Sequence, residues 1–240
     1  MQALKVTFKL AAPILRDSER PVHLDALVAF ALAEEHTVLS LGGEDVDAWE
    51  SAKDLSEIFE RTSASADSPG DWVWKASWLQ FNPVLSKEWV NQTRRCEPDR
   101  YYDDLGKYWV GSGKKNELGV GDKFGIDTGS GQMRGYQWLN CTQWSDQAEA
   151  WAIGDQDALT HYLSRIDHLG KKGANGYGRV VSVTVEAAAE QDADKWMLRT
   201  LPLELAGRVG EQYELVTATL RAPYWDKLAR VVAHEPLLTF

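Results

Sequence analysis

The chain has 240 residues and a formal net charge of −10, which argues against a protein that binds nucleic acid over its whole surface. It contains no run of about 18 apolar residues and no leader of the signal-peptide kind, so the sequence predicts no membrane partner and no export. Its two cysteines, Cys96 and Cys141, are too few for a disulfide framework and lie in no Cys/His cluster. We therefore expect a cytoplasmic protein with no metal site and no cofactor.

Charge is distributed unevenly along the chain. Residues 1–70 carry six Lys/Arg and thirteen Asp/Glu, whereas residues 168–180 carry three basic residues and no acid. Residues 87–134 are nearly balanced, with nine basic and eight acidic groups. This pattern predicts a local basic site on an acidic body, and we expect the acidic N-terminal region to face solvent or a basic partner.

The N-terminal region predicts a strand followed by a helix. Residues 3–12 alternate polar and apolar side chains, which is typical of a half-buried strand. Apolar residues then recur at helical spacing over residues 24–35, where alanines also favour a helix. Residues 42–70 are acidic and rich in Ser and Ala, and they predict a loop with a short helix near residues 48–59.

The central region predicts a second strand and a long insertion. Residues 71–81 are rich in aromatic residues, as strands often are. No periodicity persists from residue 83 to residue 134, where glycines alternate with lysines. Unstructured stretches of this length in a compact domain are usually functional, so residues 83–134 are interpreted as an insertion.

The second half of the chain predicts a strand, a helix and a further strand. Residues 136–153 are strand-like, and Asp155 offers an N-cap to a helix predicted over residues 158–169. Gly170 is placed to end that helix, and residues 180–185 form a β-branched strand.

The order of predicted elements indicates the fold class. It reads strand, helix, strand, insertion, strand, helix, strand, and further strand-like runs follow within residues 190–240. This order predicts an α+β fold with a ferredoxin-like, RRM-like βαββαβ core, a long central insertion and a C-terminal β extension.

A glycine-rich loop joins the predicted second helix to the strand at residues 180–185. Its four glycines allow backbone amides to approach a phosphate, and its basic residues supply charge. The loop lacks the GxxxxGK[ST] spacing and follows a helix rather than preceding one, which argues against a nucleotide-binding P-loop or a Rossmann motif. A flexible helix-to-strand connector is the alternative that composition alone leaves open.

The helix, the G-x-x-G-x-x-G-Y-G-R loop and the following strand resemble the RAMP superfamily of CRISPR-associated RNA-binding proteins. In that superfamily the glycine-rich loop lies between the second helix and the fourth strand of a ferredoxin-like fold. The chain is more closely similar to the subunit, related to the fifth Cas family, that caps the 5′ handle of the guide RNA in type IV CRISPR complexes. The segments that carry the resemblance are residues 20–27, 72–74, 134–137 and 166–180.

The resemblance implies a non-catalytic RNA-binding subunit of a ribonucleoprotein that defends against invading nucleic acid. Residues 1–240 would form one RAMP-like domain that caps the 5′ handle of the crRNA and contacts the backbone subunits and the large subunit. The insertion would act as a thumb, and whether target DNA near the flanking motif is contacted stays open. Bases would stack on aromatic residues such as Tyr177, Trp72 or Trp74. The implied RNA-binding residues are Gly170, Lys171, Lys172, Gly173, Asn175, Gly176, Tyr177, Gly178, Arg179, His23, Lys107, Lys114, Lys115, Lys123 and Arg134.

Two alternatives are left open by the sequence. The first is a metal-independent endoribonuclease that processes CRISPR RNA with His23 as its base, because the ordinary pKa of histidine lies near neutral pH. The second is a stand-alone binding module built around the eleven tryptophans, which predicts exposed aromatic patches and a well-behaved monomer.

Overall fold

A computed structural model describes residues 1–16, 21–41, 47–63, 71–94, 135–208 and 212–237. The chain divides into two compact units, the larger comprising Met1–Lys87 with Gln143–Phe240 and the smaller comprising Glu88–Thr142. No helix in the described ranges is long and apolar enough to cross a membrane.

The protein is α+β, with mostly antiparallel sheets and few helices. The described helices are α1 (Leu24–Leu41), α2 (Ala48–Ser51) and α3 (Gln156–Leu163). The described strands are β1 (Gln2–Leu10), β2 (Ile14–Arg16), β3 (Gln80–Phe81), β4 (Val84–Arg94), β5 (Tyr136–Ser145), β6 (Gln147–Gly154), β7 (Val180–Ala187), β8 (Leu201–Pro202), β9 (Tyr213–Thr219) and β10 (Arg230–Pro236).

The main sheet of the larger unit has the strand order β3-β6-β1-β7. Every neighbouring pair in it is antiparallel, and β1 lies between β6 and β7. Val6 on β1 is paired with Ala150 on one side and with Val185 on the other. The chain therefore returns twice to pair with the strand with which it begins, in both cases from a distant part of the sequence.

One face of the main sheet is buried under the helices. Leu4, Val6 and Phe8 are fully buried, whereas the alternate residues of β1 are only partly buried, which confirms the predicted period of two. Leu24 in α1 and Leu159 in α3 belong to the same apolar cluster as these β1 residues. The predicted N-cap is also present, since Asp155 Oδ1 accepts a hydrogen bond from the Ala158 amide (2.9 Å).

A second apolar cluster lies beneath the C-terminal sheet, whose strand order is β8-β10-β9. Its buried members are Val73, Trp196, Leu201, Leu220 and Ala233. A third sheet has the order β2-β5-β4. In the smaller unit, the Thr142 hydroxyl donates to the Glu88 carbonyl oxygen (3.1 Å).

The strand predicted over residues 71–81 is wrong for most of its length. Only Gln80–Phe81 forms a strand, and the preceding residues make isolated bridges. Trp74 pairs with Arg61, whereas Trp78 pairs with His23, so each bridge has a different partner and no ladder develops. The tryptophans here are core residues packed from several directions, and their β propensity reflects burial rather than a strand.

The predicted end of the second helix is also wrong. The helix α3 ends at Leu163, six residues before the predicted boundary, and Gly170 does not terminate it. The amide of Ile166 donates to Leu163 in a tighter three-residue turn (3.1 Å). The amide of Leu169 then bonds across to Gly178 (2.8 Å), which draws the segment away from helical geometry.

Candidate functional site

The glycine loop at residues 170–179 is anchored at both ends by backbone hydrogen bonds. The Lys171 amide donates to the Leu15 carbonyl oxygen (3.0 Å), and the Gly178 amide donates to the Pro13 carbonyl oxygen (2.8 Å). Both acceptors belong to the segment that follows β1. The loop is therefore attached at both ends to residues 13–15, and it is not a free connector between α3 and β7.

Three glycines in the loop, Gly170, Gly176 and Gly178, have backbone conformations that other residues rarely adopt. Gly178 has φ of +66°, and a Cβ atom there would lie 1.9 Å from the Leu169 carbonyl oxygen. Gly176 has φ of +86°, but a Cβ atom there would meet open space. The glycine at position 178 thus permits close backbone packing, and the glycine at position 176 permits only the turn.

The tip of the loop is a short 3-10 turn at Gly173–Asn175. It is preceded by Lys172, which has a left-handed backbone with φ of 61°. The Asn175 amide donates to the Lys172 carbonyl oxygen (2.9 Å), and the Gly176 amide donates to Gly173 (2.7 Å). These bonds give the tip a defined backbone, with Asn175 and Gly176 exposed to solvent.

The polar side chains of the loop are mostly accessible. Lys171 and Arg179 are exposed, whereas Lys172 and Tyr177 are partly buried. An acidic residue, Asp167, precedes the loop. Its side chain is exposed and is hydrogen-bonded to the ring of His168 (2.8 Å). That bond lowers the pKa of Asp167. The loop is accordingly a basic site with one neighbouring carboxylate, which the sequence did not single out.

His23 does not belong to this site. Its ring is 5 % exposed and stacks on Tyr224, with ring centroids 3.9 Å apart and an interplanar angle of 11°. Burial, and then the charge of Arg199, hold the pKa of His23 well below its ordinary value. Its Nδ1 has no hydrogen-bond partner in the described part of the chain. The histidine is therefore a buried, uncharged residue at neutral pH.

The remaining predicted positions either lie outside the described residues or are packed against other side chains. Lys107, Lys114, Lys115, Lys123 and Arg134 lie outside the described residues. Trp74 is buried and Trp72 is partly buried, with the Arg221 guanidinium 4.0 Å above its ring, so neither offers an open stacking face. In the described ranges, no group of three His, Cys, Asp or Glu residues is placed to hold a metal ion.

Sequence reasoning missed a set of polar residues that meet far from the glycine loop. Asp25, Arg199 and Tyr224 form a buried hydrogen-bonded cluster, and Glu235 lies in a nearby cavity wall that also includes Tyr224. Their separation along the chain left no local motif. An arginine between the apolar residues 196 and 201 is the one sequence signal that would have pointed to a buried cation.

Comparison with known proteins identifies the family. The model of the family described as CRISPR type IV associated protein Csf3 matches residues 2–236. No curated protein matches the chain. Because the family match covers nearly the whole sequence, the chain belongs to the Csf3 family of CRISPR type IV associated proteins.

Proposed function

We propose that the chain is a non-catalytic, RNA-binding subunit that caps the 5′ handle of the guide RNA in a type IV CRISPR ribonucleoprotein. Family membership supports a role in a type IV assembly. The single observation that carries the RNA-binding role is the anchored glycine loop, which presents Lys171 and Arg179 to solvent from a fixed backbone. A fixed turn with exposed cations suits the repeated phosphates of a single strand.

We propose that the main sheet with α1 and α3 is a ferredoxin-like core. Its support is the order in which the elements occur: β1, α1, β3, β6, α3 and β7 give a βαββαβ succession. The sheet order β3-β6-β1-β7 places the first and third strands of that succession at the centre. The glycine loop then lies between the second helix and the fourth strand, the place it has in RAMP proteins.

The chemistry of binding would combine backbone amides with charge. The backbone amides at the tip of the loop, those of Gly173 and Ala174, would donate to a phosphate oxygen. Lys171 and Arg179 would add long-range attraction. The acidic body would oppose non-specific binding to other parts of the surface, since the net charge is −10.

The proposed partners follow from the same role. A subunit that caps one end of the guide must also contact the backbone subunits and the large subunit, and the insertion at residues 83–134 would act as its thumb. The non-catalytic assignment is supported by the state of His23. A general base must reach the proton that it removes, and His23 is buried.

The proposal is tested by co-expressing the full chain with the other subunits and a repeat–spacer array, and by sequencing the RNA that co-purifies. We expect guides with one uniform, repeat-derived 5′ end. The variant Lys171→Ala/Lys172→Ala/Arg179→Ala should lose them. For the same variant, the slope of log affinity for a handle RNA against log salt concentration should become shallower by roughly 2, which corresponds to three phosphate contacts at about 0.7 each.

A matched control removes the same charge elsewhere. The variant Lys53→Ala/Lys195→Ala/Lys227→Ala changes three lysines of the larger unit that lie outside the loop. It should keep the guide and the salt slope. Guide retention by the loop variant, or equal loss in both variants, would show that the loop is not the RNA site.

A further inference from the structure

A cavity of about 520 Å³ lies among the N-terminal end of α1, the helix α2 and the C-terminal sheet. In the described chain, no residue of the glycine loop lines it. Its volume falls in the range of roughly 300–1,000 Å³ that is usual for small-ligand sites. Its lining includes His23, Trp49, Tyr224, Trp225, Arg230 and Glu235.

Two tryptophans of the cavity wall are exposed to solvent. Trp225 is 74 % exposed and Trp49 is 54 % exposed, whereas Trp78 and Trp151 are at most 6 % exposed. A large aromatic side chain left in water at the edge of a cavity is poorly explained by packing. It is well suited to stacking against a planar ligand.

The carboxylate of Glu235 lies in the same wall. Glu235 is half-buried, and the described residues supply it with no ion pair. The Thr200 hydroxyl donates to Glu235 Oε1 over a long distance (3.4 Å). Burial, and the nearby Glu214, raise the pKa of Glu235. This carboxylate has acceptor capacity that an N–H donor of a ligand can fill.

The deeper wall is polar but uncharged. His23 lines the cavity, its ring is buried, and its Nδ1 has no partner within the described residues. Its face is held by the stack on Tyr224. Arg230, at the edge of the same cavity, is exposed and cationic. The wall therefore combines aromatic faces, a carboxylate, an uncharged ring and one exposed cation.

A nucleotide matches this combination. Its base is planar and stacks on tryptophan, and an exocyclic amino group donates to a carboxylate, as cytosine does to Glu or Asp. Its phosphate suits an exposed arginine. We propose that the cavity binds one unstacked RNA nucleotide whose base carries an amino group, with the base on Trp225, the amino group donating to Glu235 and the phosphate near Arg230. This inference rests on the proposed function, because RNA would supply the nucleotide.

The test uses the full-length chain and the probes AMP, CMP and UMP in ligand-observed NMR titrations. AMP and CMP should bind at least about fivefold more tightly than UMP, because uracil has no amino group. Trp225→Ala should weaken AMP binding by about fivefold or more, as loss of a stacking platform does. Glu235→Gln should abolish the preference over UMP, since an amide can also donate to uracil.

Two control variants match these changes. Trp144→Ala removes another exposed tryptophan, and Glu190→Gln removes an exposed carboxylate that does not line the cavity. Neither should change the affinities. Unchanged AMP binding in Trp225→Ala, or UMP binding as tight as that of AMP and CMP, would overturn the inference.

A further measurement separates this site from the glycine loop and from a protein occupant. The glycine-loop triple variant should lose guide RNA but bind AMP as the wild type does. If the wild-type complex holds no guide RNA, the proposed function is wrong. The relative affinities for AMP, CMP and UMP would still show whether the cavity binds a base that carries an amino group. Protection of β9 from hydrogen exchange by a partner subunit without RNA would assign the cavity to protein and overturn the inference.

Discussion

Arg199 and Asp25 form an ion pair, with Nη2 3.2 Å from Oδ2, in which both side chains are fully buried. The two residues are 174 positions apart, so the pair joins the first turn of α1 to the segment that precedes β8. Burial lowers the pKa of Arg199, but the charges of Asp25 and Tyr224 and the hydrogen bonds to them together more than offset this, so that the pKa is raised. The guanidinium therefore stays charged inside the protein.

The surroundings of Arg199 complete its hydrogen bonding. It donates to the carbonyl oxygens of Trp74 (2.6 Å), Ala76 (3.0 Å) and Leu220 (2.6 Å), which lie on segments without continuous ladders. Buried carbonyl groups need donors, and here one side chain supplies three of them. The arginine thus substitutes for the strand pairing that residues 71–79 lack.

The first prediction concerns this arginine. Arg199→Met should lower the free energy of unfolding by about 3–5 kcal/mol, because it leaves a buried carboxylate without its partner. Urea unfolding at pH 7 measures the change. The double variant with Asp25→Leu should lose less than the sum of the two single variants, since it removes both charges.

A partly exposed pair provides the comparison. Lys5 Nζ lies 2.6 Å from Glu149 Oε1, but both side chains retain contact with solvent. Lys5→Met should therefore cost no more than about 1 kcal/mol. Equal losses for Lys5→Met and Arg199→Met would contradict a special role for the buried pair.

The sequence predicted the elements that are encoded by residues close together in the chain. The alternation at Leu4, Val6 and Phe8 identified β1, and the position of Asp155 identified the start of α3, because a strand face and an N-cap are encoded within a few residues. The β-branched run identified β7 for the same reason.

The features that the sequence did not reveal depend on contacts between distant residues. The helix α3 ends at Leu163, where the backbone hydrogen bonds change to a three-residue spacing such as that from Ile166 to Leu163, and not at a capping glycine. The partners of Arg199 and the wall around Glu235 come from segments that only the tertiary fold brings together. The glycine loop was recognisable as a motif, but its attachment to Leu15 was not, since no pattern in either segment encodes the other.

The second prediction concerns the N-cap of α3. Asp155→Ala removes the acceptor for the Ala158 amide and should lower the free energy of unfolding by about 1 kcal/mol. Asp155→Ser should retain most of the stability of the wild type, because serine also caps helices. Urea unfolding of the three proteins gives the order, and an alanine variant as stable as the serine variant would contradict the capping role.

The third prediction is a pH dependence due to His23. The folded state keeps its ring uncharged, whereas the unfolded chain takes up a proton as pH falls below the ordinary value of 6.5. Acid therefore favours unfolding, and stability contributed by the neutral ring is lost as pH falls from about 7.5 to 5.5. The loss over this interval approaches about 1.4 kcal/mol, the equivalent of one pKa unit.

The variant His23→Phe isolates this effect. Phenylalanine keeps a ring against Tyr224 but cannot take up a proton, and the other four histidines are the same in both proteins. As pH falls, the free energy of unfolding, measured with urea, should decrease more for the wild type than for the variant. Parallel stability curves between pH 7.5 and 5.5 would show that His23 titrates normally.

The fourth prediction separates two glycines of the loop at residues 170–179. Both have positive φ, so alanine at either position costs about 1–2 kcal/mol in backbone strain. At Gly178 the added Cβ would also collide with the Leu169 carbonyl oxygen and break the hydrogen bond between these residues, adding about 1 kcal/mol or more. Gly178→Ala should therefore destabilise more than Gly176→Ala in urea unfolding. Gly176→Asn should be nearly neutral, because asparagine tolerates the left-handed region. Equal losses for the two alanine variants would mean that the loop can move away from Leu169 at no cost, and that its anchoring is weaker than its hydrogen bonds indicate.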